Sequence, residues 1–243
     1  MTPFASLRFD IFYTVLTAAV FSLADHYLVF REFWRLHKDG PEQARRWFWR
    51  LTMFLLWLLA AGGFFLWRAQ GRRWDALGLV VPKGTALYSS AGVLIGIVAY
   101  YLWVLFKARG SPQLRAGLRK QIAQYHTNLL GILPRAPRDL MWWTAVSFTA
   151  GITEEFLFRG ICLSATTLCF GVPAGVAVNV ALFASGHAYQ GWRGVVNSAV
   201  IGGVLTAATL LTHSLLPAMA IHAVVDLGGG LCAVLAEEPP IVS

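Results

Sequence analysis

The stretch Glu154-Glu155-Phe156-Leu157-Phe158-Arg159 lies inside an apolar run from about Leu140 to Ala165, and the reading of its three charges decides the fold. In a bilayer each ionised side chain costs several kcal/mol unless it is paired or wetted, so three of them in one segment of spanning length mark a functional site. On a helix Glu155 and Arg159 are four residues apart and pair as a structural ion pair. Glu154 is turned roughly 100° away and must face something else. Two histidines further along the chain are the expected partners.

The surrounding composition agrees with a bilayer as solvent. The chain has 243 residues, is 57% hydrophobic and only 13% charged, and has a positive mean hydropathy, which places it among polytopic membrane proteins. Segments long enough to cross a hydrocarbon core of about 30 Å fall near 11–30, 51–67, 85–106, 140–162, 171–189, 194–212 and 215–235. The expected fold is therefore all-α, a polytopic transmembrane helix bundle of about seven spans, with six or eight as the alternatives. The net charge of +8 does not point to nucleic acid, because the basic residues cluster in the short connections, where they set membrane orientation. Six lie over 31–50, four over 68–83 and seven over 107–138, which favours an outside N-terminus. The first segment carries Asp25 and His26 near its end and, lacking a basic leader and a small-residue cleavage site, is expected to stay as an anchor.

The character of the chain changes near Leu140. Residues 1–139 supply spans with basic, tryptophan-rich loops, and residues 140–243 carry most of the intramembrane polar groups and small residues. Trp47, Trp49, Trp67, Trp74, Trp142 and Trp143 fall at segment edges, as headgroup-level anchors do. Leu114, Leu118, Ile122 and Tyr125 recur at helical spacing with Arg115, Arg119 and Lys120 on other faces, as expected of a short helix lying on an anionic membrane surface. Ser198, Gly202, Gly203, Ala207 and Gly228-Gly229-Gly230 offer small surfaces for close helix approach. Cys162, Cys169 and Cys232 match neither a metal clip nor a disulfide framework and are expected to be small buried residues.

Beyond the Glu154/Glu155/Arg159 cluster, the second half places Phe183 with His187 and His222 with Asp226, each pair four residues apart and so on one helix face. Asn179 and Asn197 are expected to hydrogen-bond across helices. Carboxylates and histidines on three helices are too costly to keep apart in lipid and should converge on one wet cavity. Such a cavity holds what amide hydrolysis needs: a carboxylate to take a proton from water, a histidine to orient that water, and donors for the oxyanion. There is no GxSxG elbow and no pair of intramembrane aspartates. One Glu with two His is also a zinc set, but an HExxH helix is absent.

The ordered motifs EExxxR at Glu154–Arg159, FxxxH at Phe183–His187 and HxxxD at His222–Asp226 resemble those of the CPBP (Abi) intramembrane protease family, which includes the type II CAAX prenyl endopeptidases. The resemblance covers about 140–235, and Ala76-Leu77-Gly78-Leu79 is similar to a short motif that precedes one of the family's helices. It implies a glutamic intramembrane endopeptidase without a metal or other cofactor, acting on a membrane-embedded or membrane-anchored protein from a multi-pass position in a bacterial inner or plasma membrane. By the same resemblance Glu154 is the general base, His187 assists it, and His222 and Asp226 form the oxyanion side. Glu155, Arg159 and Phe183 shape the site. One departure matters: the last position is often Asn in CAAX-type members and is Asp226 here, and an ionised carboxylate cannot donate to an oxyanion. The alternatives are a non-proteolytic immunity or scaffold protein and a zinc-dependent membrane protease; a proton-coupled transporter lacks the inverted repeat it would need.

Overall fold

A computed structural model describes residues 3–237, with the side chains of residues 3–6 and 23–27 left out, and the described residues form an all-α bundle without a strand. The side chains of Asp25 and His26 thus lie outside the described residues. Helix α1 (Pro3–Ala19) runs through a π-helical segment (Val20–Val29) into α2 (Phe30–Asp39). Gly40 breaks the chain direction and Pro41 opens α3 (Pro41–Ala69), where its missing N–H is not needed. There follow α4 (Thr85–Gly110), α5 (Pro112–Ile122), α6 (Thr127–Ile132) and α7 (Leu140–Glu155). A second π-helical segment (Phe156–Cys162) joins α7 to α8 (Leu163–Phe170), and α9 (Val172–Gly186), α10 (Gly191–Thr212) and α11 (Leu216–Glu237) complete the bundle.

Among the described residues four helical stretches are long and apolar enough to cross a membrane: Pro41–Ala69, Thr85–Gly110, Ala188–Thr212 and Leu216–Glu237. They coincide with four of the seven expected segments. The expected span at 171–189 is the shorter apolar helix α9, and that at 140–162 runs on without a break to Phe170 through the π-helical segment. Helix α4 leaves Tyr88, Ile95, Tyr100, Leu102 and Phe106 exposed, a face that only lipid can solvate. The chain is an integral membrane protein.

Glycines set the closest helix approaches. A Cβ on Gly151 would sit 2.8 Å from the Met219 carbonyl oxygen and 2.9 Å from Ala223 Cβ, so α7 and α11 touch backbone to backbone just before the Glu154-Glu155 pair. One on Gly175 would land 2.6 Å from the Thr166 carbonyl oxygen, which lets α9 fold back tightly on α8 after Gly171, whose φ of 76° a side chain would strain. Trp143 lies against Gly230 and donates to the Asp226 carbonyl oxygen at 2.9 Å. Tyr101 lies against Gly228 and donates to the Val225 carbonyl oxygen at 3.2 Å, which fixes α4 on α11. Gly151→Val is expected to lower stability by about 1–3 kcal/mol through overpacking, read as an earlier midpoint on titration with denaturing detergent. An unchanged midpoint would mean that α7 and α11 do not meet there.

The Ala76-Leu77-Gly78-Leu79 segment has a structural task. Gly78 adopts a φ of 79°, and its carbonyl accepts the Leu215 N–H at 2.8 Å, while Ser214 Oγ donates to the Val80 carbonyl at 2.5 Å. Leu77 covers Gly160 in the π-helical segment. The connection before α4 therefore locks both the α10–α11 turn and the helix that carries the charges.

Several expectations are corrected. Trp49 and Trp67 are buried and bond to the carbonyls of Ile132 and Arg73, so they pack the protein rather than anchor it at a headgroup level. Cys169 is exposed on α8, unlike Cys162 and Cys232. Gly203 and Gly229 face open space, so only their neighbours Gly202, Gly228 and Gly230 serve close packing. Helix α5 is more than a surface helix: Arg119 donates twice to the Ala236 carbonyl at the end of α11, and Arg115 is buried.

Candidate active site

Glu154 and Glu155 occupy the last turn of α7, and Arg159 follows in the π-helical segment, a widened geometry common at functional sites. Arg159 Nη1 lies 2.9 Å from Glu155 Oε1, and neither side chain has exposed surface. The guanidinium also donates to the Gly202 carbonyl at 3.0 Å and sits 4.1 Å over the Phe183 ring. Gly202 makes room for this: a Cβ there would come 2.9 Å from Phe183 and 3.2 Å from Arg159 Nη2. A buried charge pair is tolerated only with such additional partners.

The same Glu155 oxygen accepts a second bond, from His222 Nδ1 of α11 at 2.7 Å. Glu155 therefore joins Arg159 to His222 rather than serving the ion pair alone. The sequence carried no sign of this, because two adjacent glutamates on a helix are distinguished only by what packs against each. One turn after His222, Asp226 Oδ2 is 3.6 Å from Nε2, within ion-pair range but beyond hydrogen-bond reach.

His187 closes α9. Its backbone N–H bonds to the Ala184 carbonyl, three residues back, which releases the Phe183 carbonyl from the helical ladder to meet His187 Nδ1 at 2.9 Å. A carbonyl only accepts, so Nδ1 carries the hydrogen and Nε2 of the neutral ring is an acceptor. Phe183 is buried between the two imidazoles, its ring 4.7 Å from that of His187 and 6.1 Å from that of His222.

Glu154 is 8% exposed, and its Oε2 has no hydrogen-bond partner among the described residues. It lines a cavity of about 350 Å³ together with Phe183, His187, His222 and Asp226. Glu155 and Arg159 lie behind this wall rather than on it. The other walls come largely from the first half of the chain, including Phe21, Phe48, Trp49, Leu56 and Tyr125. A carboxyl group with a buried, unpartnered Oε2, an imidazole acceptor and a second imidazole held from behind thus line one partly buried cavity.

Asn179 donates to the Phe158 carbonyl at 2.8 Å and Asn197 to the Tyr125 hydroxyl, so both act as links between segments. Among the described residues no three His, Cys, Asp or Glu side chains are grouped to hold a metal ion. Each imidazole instead has its Nδ1 committed within the protein.

Residues 136–228 match the family described as type II CAAX prenyl endopeptidase Rce1-like. The match takes in all three motifs, from Glu154 to Asp226. No curated protein and no solved structure matches the chain.

Proposed function

We infer, for a chain that carries a CAAX protease-like domain of the CPBP family at residues 136–228, that it hydrolyses a peptide bond of a membrane-associated or lipid-modified protein with water activated by Glu154. One observation supports this above the others: Glu154 lines the cavity, its buried Oε2 has no hydrogen-bond partner among the described residues, and it stands beside an imidazole whose Nε2 is an acceptor. A carboxylate so placed removes a proton from water as the oxygen attacks the scissile carbonyl, and His187 Nε2 holds the water in line. The proton then passes to the leaving nitrogen, which completes hydrolysis. His222, which lines the cavity and is held through Nδ1 by Glu155, would serve through Nε2 as the donor to the developing oxyanion. Asp226 stands 3.6 Å from that nitrogen and favours a hydrogen on it; Asp226 itself, lacking a proton when ionised, is not the donor.

In this account residues 140–243 supply the chemistry and residues 1–139 supply the substrate-facing walls, in a bacterial inner or plasma membrane. The protein reconstituted in lipid nanodiscs is expected to cleave its substrate equally well with and without a strong chelator. His187→Ala is expected to slow cleavage roughly 10²-fold or more with little change in apparent affinity. Activity abolished by the chelator and restored by zinc would replace the glutamate mechanism with a metal one.

A further inference from the structure

The charges around the cavity carry a statement about substrate that the family resemblance does not. Two carboxyl groups, Glu154 and Asp226, face the space, and no lysine or arginine lines it among the described residues. Of the arginines on neighbouring elements, Arg159 is ion-paired with Glu155 behind the wall, while Arg119 and Arg193 are held outside the lining by the Ala236 carbonyl and by Gln124. The side-chain amides in the lining each make a hydrogen bond within the protein, Asn197 to the Tyr125 hydroxyl and Gln190 to the Tyr189 hydroxyl at 3.0 Å. With Glu154 ionised, as a base must be, the three carboxylates outnumber Arg159 and a protonated His222.

A CAAX box ends in the chain's own carboxylate, so an endopeptidase that cuts within it takes a negative charge into its site. Two or three residues at about 3.5 Å each put that charge within roughly 10 Å of the scissile bond. In a partly desolvated cavity a like charge at that range is repelled, and among the described residues a protonated His222 is the single cation lining this one against the two carboxylates of Glu154 and Asp226.

We propose that this cavity selects an internal peptide bond of a membrane-associated chain, in a segment that is neutral or basic beyond the cut, and disfavours a free carboxyl terminus, with Asp226 as the discriminating residue. This rests on the proteolytic reading above. Asp226 is partly exposed at 36%, with His222 Nε2 at 3.6 Å as its ion-pair partner among the described residues, so its carboxylate keeps open surface to receive a substrate N–H or a basic side chain. An asparagine there would be indifferent to the sign of the charge.

Three probes of one sequence separate the possibilities: a farnesylated peptide ending Cys-Val-Ile-Met as the free acid, its carboxyl-terminal amide, and the same peptide extended by six neutral residues. Binding is measured by competition on the His187→Ala protein in nanodiscs, which keeps every carboxylate, and cleavage is measured on the wild type. The amide and the extended peptide are expected to bind about tenfold more tightly than the acid, and Asp226→Asn is expected to bring that ratio close to one. Equal binding, tighter binding of the acid, no saturable binding of any probe, or a ratio untouched by Asp226→Asn overturns the proposal. If the binding ratio holds but the wild type cuts none of the three, the charge preference stands and the proteolytic reading is what fails.

Discussion

Glu154→Gln is expected to lower cleavage roughly 10²–10⁴-fold while leaving the folded protein intact. The side chain accepts no hydrogen bond through Oε2 among the described residues, so the amide gives up no internal bond there and keeps the same shape. What it loses is the capacity to take a proton. Michaelis constants for a bound substrate are expected to change little, because the effect falls on the chemical step. The assay is turnover of a defined substrate by the purified variant, with stability followed in parallel. A variant that unfolds would say that Glu154 is structural, and one that cuts at the wild-type rate would remove it as the base.

The adjacent residue should behave in the opposite way. Glu155→Ala is expected to destabilise the protein by about 3–5 kcal/mol, because it strips a buried guanidinium and a buried imidazole of one shared acceptor. Arg159 would keep the Gly202 carbonyl and the Phe183 ring but lose the counter-charge it is paired with. The double variant Glu155→Ala/Arg159→Met should be less damaged than the single one, since an uncompensated charge is worse than none. Unfolding in mixed micelles reads the stability. Activity in the double variant should stay low even where the fold is rescued, because His222 has lost the group that holds Nδ1. Wild-type stability in Glu155→Ala would contradict the bridging role.

Much of the bundle was legible because lipid imposes simple rules. Long apolar segments such as 85–106 declared themselves, and charges at Glu154, Glu155 and Arg159 could not be accidental in such a setting. The i, i+4 spacing alone placed Glu155 beside Arg159 and His222 beside Asp226, and both approaches are present. What the spacing could not give is which of two adjacent glutamates meets α11. That depends on the rotation of α7, which is fixed by Gly151 lying against Met219 and Ala223 across more than sixty residues of chain. Tryptophans at segment edges misled for a related reason: an indole at a helix end is equally suited to lipid headgroups and to a buried carbonyl, and Trp49 found the carbonyl of Ile132. The π-helical segments at 20–29 and 156–162 have no periodic signature to read. Apolar residues at helical spacing with Arg115, Arg119 and Lys120 on other faces read as a surface helix over the α5 region, yet Ile122 and Tyr125 line the cavity.

The central claim is that Glu154 activates water to cut a peptide bond in a membrane protein. It is tested most directly by comparing all protein termini in membranes from cells making the wild type, Glu154→Gln or His187→Ala at matched levels, in a host that contains the natural substrate. The account predicts one or more new internal termini that appear with the wild type, survive a chelator and vanish in both variants. Identical termini in all three membranes would contradict it.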